Sequence, residues 1–150
     1  MEPASATITF TACRSETRES GFCGYFYWIA LTLPGDSAYA RAQQVTDDIV
    51  TTEEVLTEYL TFFCTAPVYM RREVTANVEA MLIDTGVRII PQSHDSFVAG
   101  FELYRARPDK GYRLTDCISM QAMRKEGLTE VLTSDRHFEQ EGFRALFRDT

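Results

Sequence analysis

The chain has 150 residues, of which 45% are hydrophobic and 25% charged, a balance that is ordinary for one globular domain with its own core. No apolar run reaches the length of about 18 residues that suggests a membrane-spanning helix. The net charge of −7 argues against a protein that holds nucleic acid on a broad basic face. It fits an acidic metal site, a basic partner, or simply a solvated acidic surface.

The beginning of the chain differs in composition from the rest. Residues 1–20 are rich in Thr, Ser, Glu and Arg and contain one weak strand-like patch at residues 8–10. They lack the basic segment and the long apolar segment of a secretory signal, so we expect a cytoplasmic protein. We predict that residues 1–20 form a poorly ordered arm and that residues 21–150 form one domain. The four cysteines form no CxxC pair and no cluster with histidine, so a zinc-finger type of site is not expected.

Short apolar strands alternate with helices along the rest of the chain. Residues 21–31 are typical of a buried strand that runs into a short helix and stops before Pro34 and Gly35. Strands that alternate with helices predict an α/β fold with three layers (α/β/α), whose central, mostly parallel sheet has about five strands. The later predicted elements are a helix capped by Asp36 or Ser37 and ending near Val45, a strand at 49–50, a helix opened by a capping box of Thr51 and Glu54 and ending near Phe63, a helix at 68–82, a strand at 87–90, a helix at 94–107, a helix opened by Thr115 and Asp116 and ended by Gly127, a strand at 131–133 and a strand at 143–146.

Two aspartates stand where a parallel sheet presents its carboxyl edge. Asp135 follows the strand at 131–133, and Asp116 lies in the first turn of the preceding helix. Ligands of open α/β sheets bind outside the carboxyl ends of the strands, so we expect the two carboxylates to converge. Converging carboxylates repel one another unless a cation holds them, and Mg²⁺ and Mn²⁺ prefer such oxygen ligands. Each residue also has an ordinary interpretation, as a cap or dipole partner for Asp116 and as a turn residue for Asp135.

Glu58 is the third acid of interest. It shares a helical stripe with Val55 and Phe62, which predicts that it points along the buried side of its helix. Burial of an unpaired carboxylate is costly, so Glu58 is expected either to bind a cation or to pair with an arginine such as Arg71 or Arg113.

The three acids lie in three longer stretches of the chain. The stretches are Thr51-Thr52-Glu53-Glu54-Val55-Leu56-Thr57-Glu58, then Asp109-Lys110-Gly111-Tyr112-Arg113-Leu114-Thr115-Asp116-Cys117-Ile118-Ser119-Met120, then Leu132-Thr133-Ser134-Asp135-Arg136-His137-Phe138-Glu139-Gln140-Glu141-Gly142-Phe143. In this order and spacing they resemble the PIN-domain family, and within it the VapC-type ribonuclease toxins of prokaryotic toxin–antitoxin pairs. The resemblance covers about residues 21–148 and places Arg113 where family members usually carry Ser.

The resemblance implies a function and a set of site residues. It implies an endoribonuclease whose acids hold Mg²⁺ or Mn²⁺, which activates water and stabilises the charge that develops on the phosphate. Glu58, Asp116 and Asp135 match the second, third and fourth acids of the family, with Thr115 and Ser134 as supporting polar residues. The resemblance also implies an RNA substrate, a neutralising antitoxin protein and a homodimer.

The first acid of the family is missing from this chain. In the family it ends the first strand, in a pattern like Val-Phe-Val-Asp-Thr, shortly before a segment like Tyr-Trp-Ile-Ala-Leu. This chain keeps that second segment at residues 27–31, and counting back places Gly24 at the aspartate and Tyr25 at the Thr or Ser. Gly24 has no side chain to bind a metal, so we predict a vacant first-acid position and an impaired enzyme. The alternatives are a non-catalytic module that still binds antitoxin or RNA, and a DNA-processing nuclease with the same metal chemistry.

A shift of reading frame accounts for the missing acid at the level of codons. Residues 21–25 can be encoded as GGT TTT TGT GGA TAC. Read one base later, the same string is GTT TTT GTG GAT AC, which encodes Val-Phe-Val-Asp and begins a Thr codon. We therefore hypothesise that the chain is frameshifted from a point upstream through Tyr25 and returns to frame at Phe26. The nucleotide sequence tests this, because a single-base change must restore the aspartate frame.

Two features that resemble site motifs are assigned structural roles. Asp84-Thr85-Gly86 looks like the opening Asp-Thr-Gly of the family, but it precedes the strand at 87–90 and is therefore interpreted as a turn. His94 and His137 are interpreted as packed or surface residues, because the site implied by the resemblance needs no histidine.

Overall fold

The computed structural model describes residues 20–45 and 48–148. The predicted arm lies outside the described residues except for Ser20, which is the first residue of β1, so its separation from the domain stays a prediction. None of the helices in the described ranges is both long and apolar enough to cross a membrane. In chain order the elements are β1 (Ser20–Cys23), α1 (Tyr25–Thr32), α2 (Tyr39–Gln43), β2 (Asp48–Thr52), α3 (Glu53–Phe62), α4 (Val68–Ile83), β3 (Val87–Ile90), α5 (His94–Ala106), α6 (Leu114–Glu126), β4 (Glu130–Leu132), α7 (Arg136–Gln140) and β5 (Arg144–Ala145).

The strands form one five-stranded parallel sheet in the order β3-β2-β1-β4-β5. The inner strands β1, β2 and β4 are buried along nearly their whole length, as expected when helices cover both faces of a sheet. The predicted three-layer α/β/α fold is confirmed. The chain leaves β1 toward β2 and β3 and later returns to the other side of β1 with β4. The carboxyl ends of β1 and β4 therefore flank the switch point at which such sheets bind ligands.

The start of α3 differs from the prediction by one residue. Thr52, not Thr51, caps the helix, and its Oγ1 accepts a hydrogen bond from the backbone N–H of Val55 at 3.2 Å. The reason is that β2 continues to Thr52, so Thr51 is still a strand residue. Its hydroxyl donates to the carbonyl of Cys23 at 2.8 Å and fastens the end of β2 to the end of β1. This bond fixes the backbone immediately before Gly24.

Other boundaries shift where a turn competes with a helix or strand. The helix predicted from Asp36 or Ser37 begins only at Tyr39, because the Asp36 carboxylate accepts from the backbone N–H of Ala38 and closes a turn there (2.9 Å). The segment at Asp84 is a turn as predicted, with the Asp84 carboxylate accepting from the backbone N–H of Gly86 at 2.6 Å, just before β3. The last strand is only two residues long.

A buried polar network locks the helices that follow β1 and β2. The Tyr59 hydroxyl lies 2.6 Å from Oγ1 of Thr32 and accepts a hydrogen bond from Nδ2 of Asn77 at 3.1 Å. All three side chains are essentially inaccessible, and they join α1, α3 and α4. Satisfied polar groups in a core favour one arrangement of the elements that carry them. The network therefore holds α3, which also carries Glu58, against α1 and α4.

Gly100 lets α5 approach α6 closely, which gives a prediction for stability. A Cβ added at Gly100 would lie 2.3 Å from Cγ1 of Ile118 and 3.0 Å from its backbone N and Cα. Gly100→Ala is therefore expected to lower the free energy of unfolding by about 1–2 kcal/mol through overpacking, although Ala has the higher helix propensity. Thermal melts measure this, with Gly35→Ala as the control because nothing lies within 4 Å of a Cβ there. An unchanged or higher melting temperature for Gly100→Ala would contradict the close packing.

Candidate metal centre

A pocket opens between the carboxyl ends of β1 and β4, at the switch point of the sheet. It is bordered by the first turn of α6 and by the segment that links β4 to α7. The sequence-predicted residues Thr115, Asp116, Ser134 and Asp135 all lie along its wall, and so does Gly24. The lining residues are Gly24, Tyr25, Phe26, Val55, Thr115, Asp116, Ser119, Thr133, Ser134, Asp135 and Phe138.

Asp116 is the buried acid of this pocket. It is the third residue of α6, and only 7% of it is exposed. Burial, followed by the charges of Asp135 and Glu58, raises the pKa of Asp116 to about 7, although the Arg113 guanidinium and a hydrogen bond from the Arg113 backbone lower it. Within residues 20–45 and 48–148, no ion pair involves Asp116. At neutral pH its negative charge therefore lacks a direct counter-ion.

Asp135 enters the pocket from the turn after β4. Its carboxylate caps α7 by accepting from the backbone N–H of His137 at 2.9 Å, and its own N–H donates to Oγ1 of Thr133 at 3.2 Å. Helix α7 was not predicted from the sequence. A cap residue at Asp135 and a stop at Gly142, which has a φ of +90°, bracket this short helix and were the signal for it.

Glu58 borders the site rather than lining the pocket. Its charge contributes to the raised pKa values of Asp116 and Tyr25, so it lies within electrostatic range of both. Its Oε2 atom is buried and has no hydrogen-bond partner. The alternative ion pair with Arg71 or Arg113 is not observed among the described residues. The structure therefore brings Asp116 and Asp135 together and leaves Glu58 beside them with an unsatisfied oxygen.

His137 lies beside the two aspartates of the pocket, which the sequence interpretation did not anticipate. One of its ring nitrogens and one carboxylate oxygen from each of Asp116 and Asp135 lie within 4.8 Å of one another. The signal in the sequence was its position two residues after Asp135, because a capping turn folds that residue back over the capping carboxylate. His94, by contrast, is exposed at the start of α5 and is not part of this group.

Gly24 occupies the point of the pocket at which β1 ends. Its φ of −83° and ψ of 176° are extended values that any residue adopts. A Cβ added at Gly24 would have no atom within 4 Å. The backbone conformation at this position is therefore open to aspartate, and a Cβ there meets no obstacle.

Tyr25 and Arg113, the two other departures from the family pattern, contact each other at the mouth of the pocket. Nη1 of Arg113 donates to the Tyr25 hydroxyl at 2.9 Å, and its Cζ lies 5.8 Å from the centroid of the Tyr25 ring. The pKa of the Tyr25 phenol is raised, chiefly by burial and also by the charges of Asp116, Glu58 and Asp135, although the charge of Arg113 lowers it. The arginine thus brings a positive charge to the acidic pocket and is held there by the tyrosine.

A buried glutamate holds the loop and helices behind His137. The Glu141 side chain is only 5% exposed and accepts hydrogen bonds from Nε of Arg107 at 2.7 Å and Nη2 of Arg124 at 2.8 Å. It also accepts from the Tyr112 hydroxyl at 3.1 Å, and the Tyr112 ring lies 5.2 Å from the ring of His137. Burial alone would raise the pKa of Glu141, but these three hydrogen bonds lower it.

Removal of the Glu141 charge is expected to loosen this support. Glu141→Gln should lower the free energy of unfolding by about 1–2 kcal/mol, because the two arginines lose a shared carboxylate but remain partly solvated. Chemical denaturation at neutral pH measures the effect. Glu139→Gln is the matched control, since Glu139 is 41% exposed and pairs only with Arg148 among the described residues. Equal effects of the two substitutions would contradict a special role for Glu141.

The donor set fits a divalent cation. Asp116 and Asp135 offer carboxylate oxygens, Glu58 has a buried oxygen without a hydrogen bond, and the charges of Asp135 and Glu58 both act on Asp116. Negative groups held this close in a partly dry pocket are stabilised by a bound cation. The residues present therefore suit a metal, even though position 24 contributes no ligand.

Comparison with known proteins agrees with this architecture. No protein-family profile and no curated protein matches the chain in sequence. The five-stranded parallel sheet flanked by helices is a PIN-like fold. Among solved structures, the chain is similar to VapC20 of Mycobacterium tuberculosis, a toxin that cleaves the sarcin-ricin loop, with a TM-score of 0.73 and 24% sequence identity over 83% of this chain and 96% of that one. At this level of identity the likeness establishes the fold.

Proposed function

We propose that the chain is a metal-dependent endoribonuclease of a toxin–antitoxin pair, impaired by the loss of its first acid. The observation that carries the proposal is the buried, unpaired Asp116 beside Asp135 at the switch point of a VapC-type fold. A carboxylate whose pKa is strongly raised by burial and by like charges in a cleft is typical of a functional site. The capping role of Asp135 accounts for its own carboxylate but not for the buried Asp116 carboxylate beside it.

The residues have separable roles in this proposal. Asp116, Asp135 and Glu58 bind the cation. Their donor atoms are all oxygens, which Mg²⁺ and Mn²⁺ prefer. Thr115 and Ser134 line the pocket and supply polar support. A cation held by these residues would supply positive charge to activate water and to offset the charge that develops on the RNA phosphate.

The partners in the proposal are an antitoxin protein, a second copy of the chain and RNA, encountered in the cytoplasm. The outer face of α5 supports protein contacts, because Phe97, Phe101 and Tyr104 are about half exposed and recur at helical spacing. The rings of Phe97 and Phe101 stack with centroids 6.2 Å apart.

An RNA cleavage assay tests the function. The full chain is incubated with an unstructured RNA and with a hairpin that carries the sarcin-ricin loop, each with Mg²⁺, with Mn²⁺, or with a chelator. We expect weak cleavage that needs a cation and that Asp116→Asn and Asp135→Asn abolish. Cleavage that persists in the chelator or in Asp116→Asn would refute the proposed site.

The second candidate is a non-catalytic module that keeps the fold and binds antitoxin or RNA. Gly24 is the observation in its favour, since it leaves the carboxyl end of β1 without a metal ligand. This reading predicts RNA or antitoxin binding without cleavage under every metal condition.

A further inference from the structure

An imidazole lies at the acidic pocket, and the proposed function does not use it. The three ligand atoms of Asp116, Asp135 and His137 are within 4.8 Å of one another, and Nδ1 of His137 is 3.3 Å from Oδ1 of Asp135. Ligand atoms about 2.1 Å from a tetrahedral ion lie about 3.4 Å apart. The group is therefore spaced so that small side-chain rotations bring all three atoms onto one ion.

The imidazole is held in place by two sets of contacts. The hydrogen bond from the His137 backbone N–H to Asp135 sets the turn that brings the side chain back toward that carboxylate. The Tyr112 ring packs against the imidazole, and Tyr112 is itself held by Glu141. The side chain of His137 is 26% exposed, so it is ordered yet reachable from solvent. An ordered, reachable ring loses little freedom when it binds an ion.

The kind of donor decides which ion the group prefers. Imidazole nitrogen suits Zn²⁺ and similar transition-metal ions, whereas Mg²⁺ takes oxygen ligands and gives up its water reluctantly. Three protein ligands plus one open position is the usual arrangement of a catalytic zinc site. Gly24 offers no oxygen ligand, and Glu58 lies outside the group of three converging residues. The His137 nitrogen is therefore one of the three ligand atoms in that group.

We propose that His137 completes a mixed nitrogen–oxygen site with Asp116 and Asp135, and that this site binds Zn²⁺ or a similar transition-metal ion more tightly than Mg²⁺. The proposal deepens the proposed function and rests on it, because both require this pocket to be a metal centre. The competing reading is a structural pair, in which the His137 ring only contacts the Asp135 carboxylate.

Calorimetric titration of the chelator-treated full chain separates the two readings. The wild type should bind Zn²⁺ at least about tenfold more tightly than Mg²⁺. His137→Asn should weaken Zn²⁺ binding by about 10- to 100-fold and change Mg²⁺ binding by less than about threefold. His94→Asn is the matched control, because it removes the other of the two histidines at an exposed position away from the pocket. Equal Zn²⁺ affinities for all three proteins would overturn the proposal.

Proton NMR of the wild type gives a second measurement that needs no substitution at the proposed site. The chain has two histidines, so two imidazole Cε1–H signals are expected, and His94→Asn assigns them. Zn²⁺ should shift the His137 signal and leave the His94 signal in place, and an unmoved His137 signal would overturn the proposal.

Asp116→Asn distinguishes failure of this inference from failure of the proposed function. If it weakens binding of both ions while His137→Asn leaves Zn²⁺ binding unchanged, the pocket is a metal centre and only the role of His137 is refuted. If Asp116→Asn leaves the binding of both ions unchanged, the pocket is not a metal centre and both proposals fall.

Discussion

Replacement of Gly24 by aspartate is expected to raise metal-dependent RNA cleavage by at least about 100-fold, the size of effect typical of a single preorganised group at a reaction centre. The backbone at Gly24 already has the extended conformation, and a Cβ there meets no atom within 4 Å. The new carboxylate would lie in the pocket that Asp116 and Asp135 line, so it adds an oxygen ligand where β1 ends. Initial cleavage rates of an RNA hairpin in Mg²⁺, with a chelator blank, measure the gain.

Two controls isolate the carboxylate from its other effects. Gly24→Asn has nearly the same size without the charge, and Gly35→Asp makes the same change at an exposed glycine with nothing within 4 Å. Only Gly24→Asp should gain activity. Equal rates for the Asp and Asn variants would refute the ligand explanation. Cleavage by neither the wild type nor Gly24→Asp would favour the binding module.

Tyr25 gives an independent check of the same idea. The frameshift hypothesis restores Thr at this position as well, and the Tyr25 ring lines the pocket under the guanidinium of Arg113. If the ring hinders access of the RNA phosphate, Gly24→Asp with Tyr25→Thr should be more active than Gly24→Asp alone. A double variant that is less active would show that the tyrosine supports the site.

The elements that place the pocket were predictable because their signals are local. Phe22, Val50 and Val131 lie in short apolar runs, and all three are buried in the central strands. Alternation of such runs with helices determines a parallel sheet, and a parallel sheet places the residues after its strands at one edge. Asp116 and Asp135 were found by this reasoning, and the structure lines one pocket with both.

The features that sequence reasoning missed depend on distances across the fold or on single hydrogen bonds. Arg113 and Tyr25 are 88 residues apart in the sequence, so no local pattern predicts their hydrogen bond. Helix α7 has only five residues, which is too short for a helical repeat of apolar residues to be recognised. Only the residues that begin and end the helix could have predicted it. His137 was interpreted as a packed or surface residue, and its packing against Tyr112 agrees with that, but its place beside Asp135 depends on a hydrogen bond that the sequence does not show.

In the absence of metal, Asp116→Asn is expected to stabilise the protein by about 4 kcal/mol at about pH 8, since a shift of one pKa unit is worth about 1.4 kcal/mol. The pKa of Asp116 is about 7 in the folded chain, against 3.8 as its ordinary value. A raised folded-state pKa means that the folded chain holds the proton more tightly. This contribution to stability is complete below about pH 4 and is lost as the pH rises through about 7. Above that pH the wild type carries a buried charge that asparagine does not.

Melting temperatures measured in chelator between about pH 4 and pH 8 test the sign as well as the size of this effect. The wild type should lose stability relative to Asp116→Asn as the pH rises, and the two curves should converge at the acidic end. Asp109→Asn, an exposed loop position, should follow the wild type throughout. A saturating divalent cation should reverse the order at about pH 8, because it binds the folded wild type and stabilises it by mass action. If Asp116→Asn instead lowers the melting temperature at every pH, the Asp116 carboxylate stabilises the fold directly and its role as a metal ligand is contradicted.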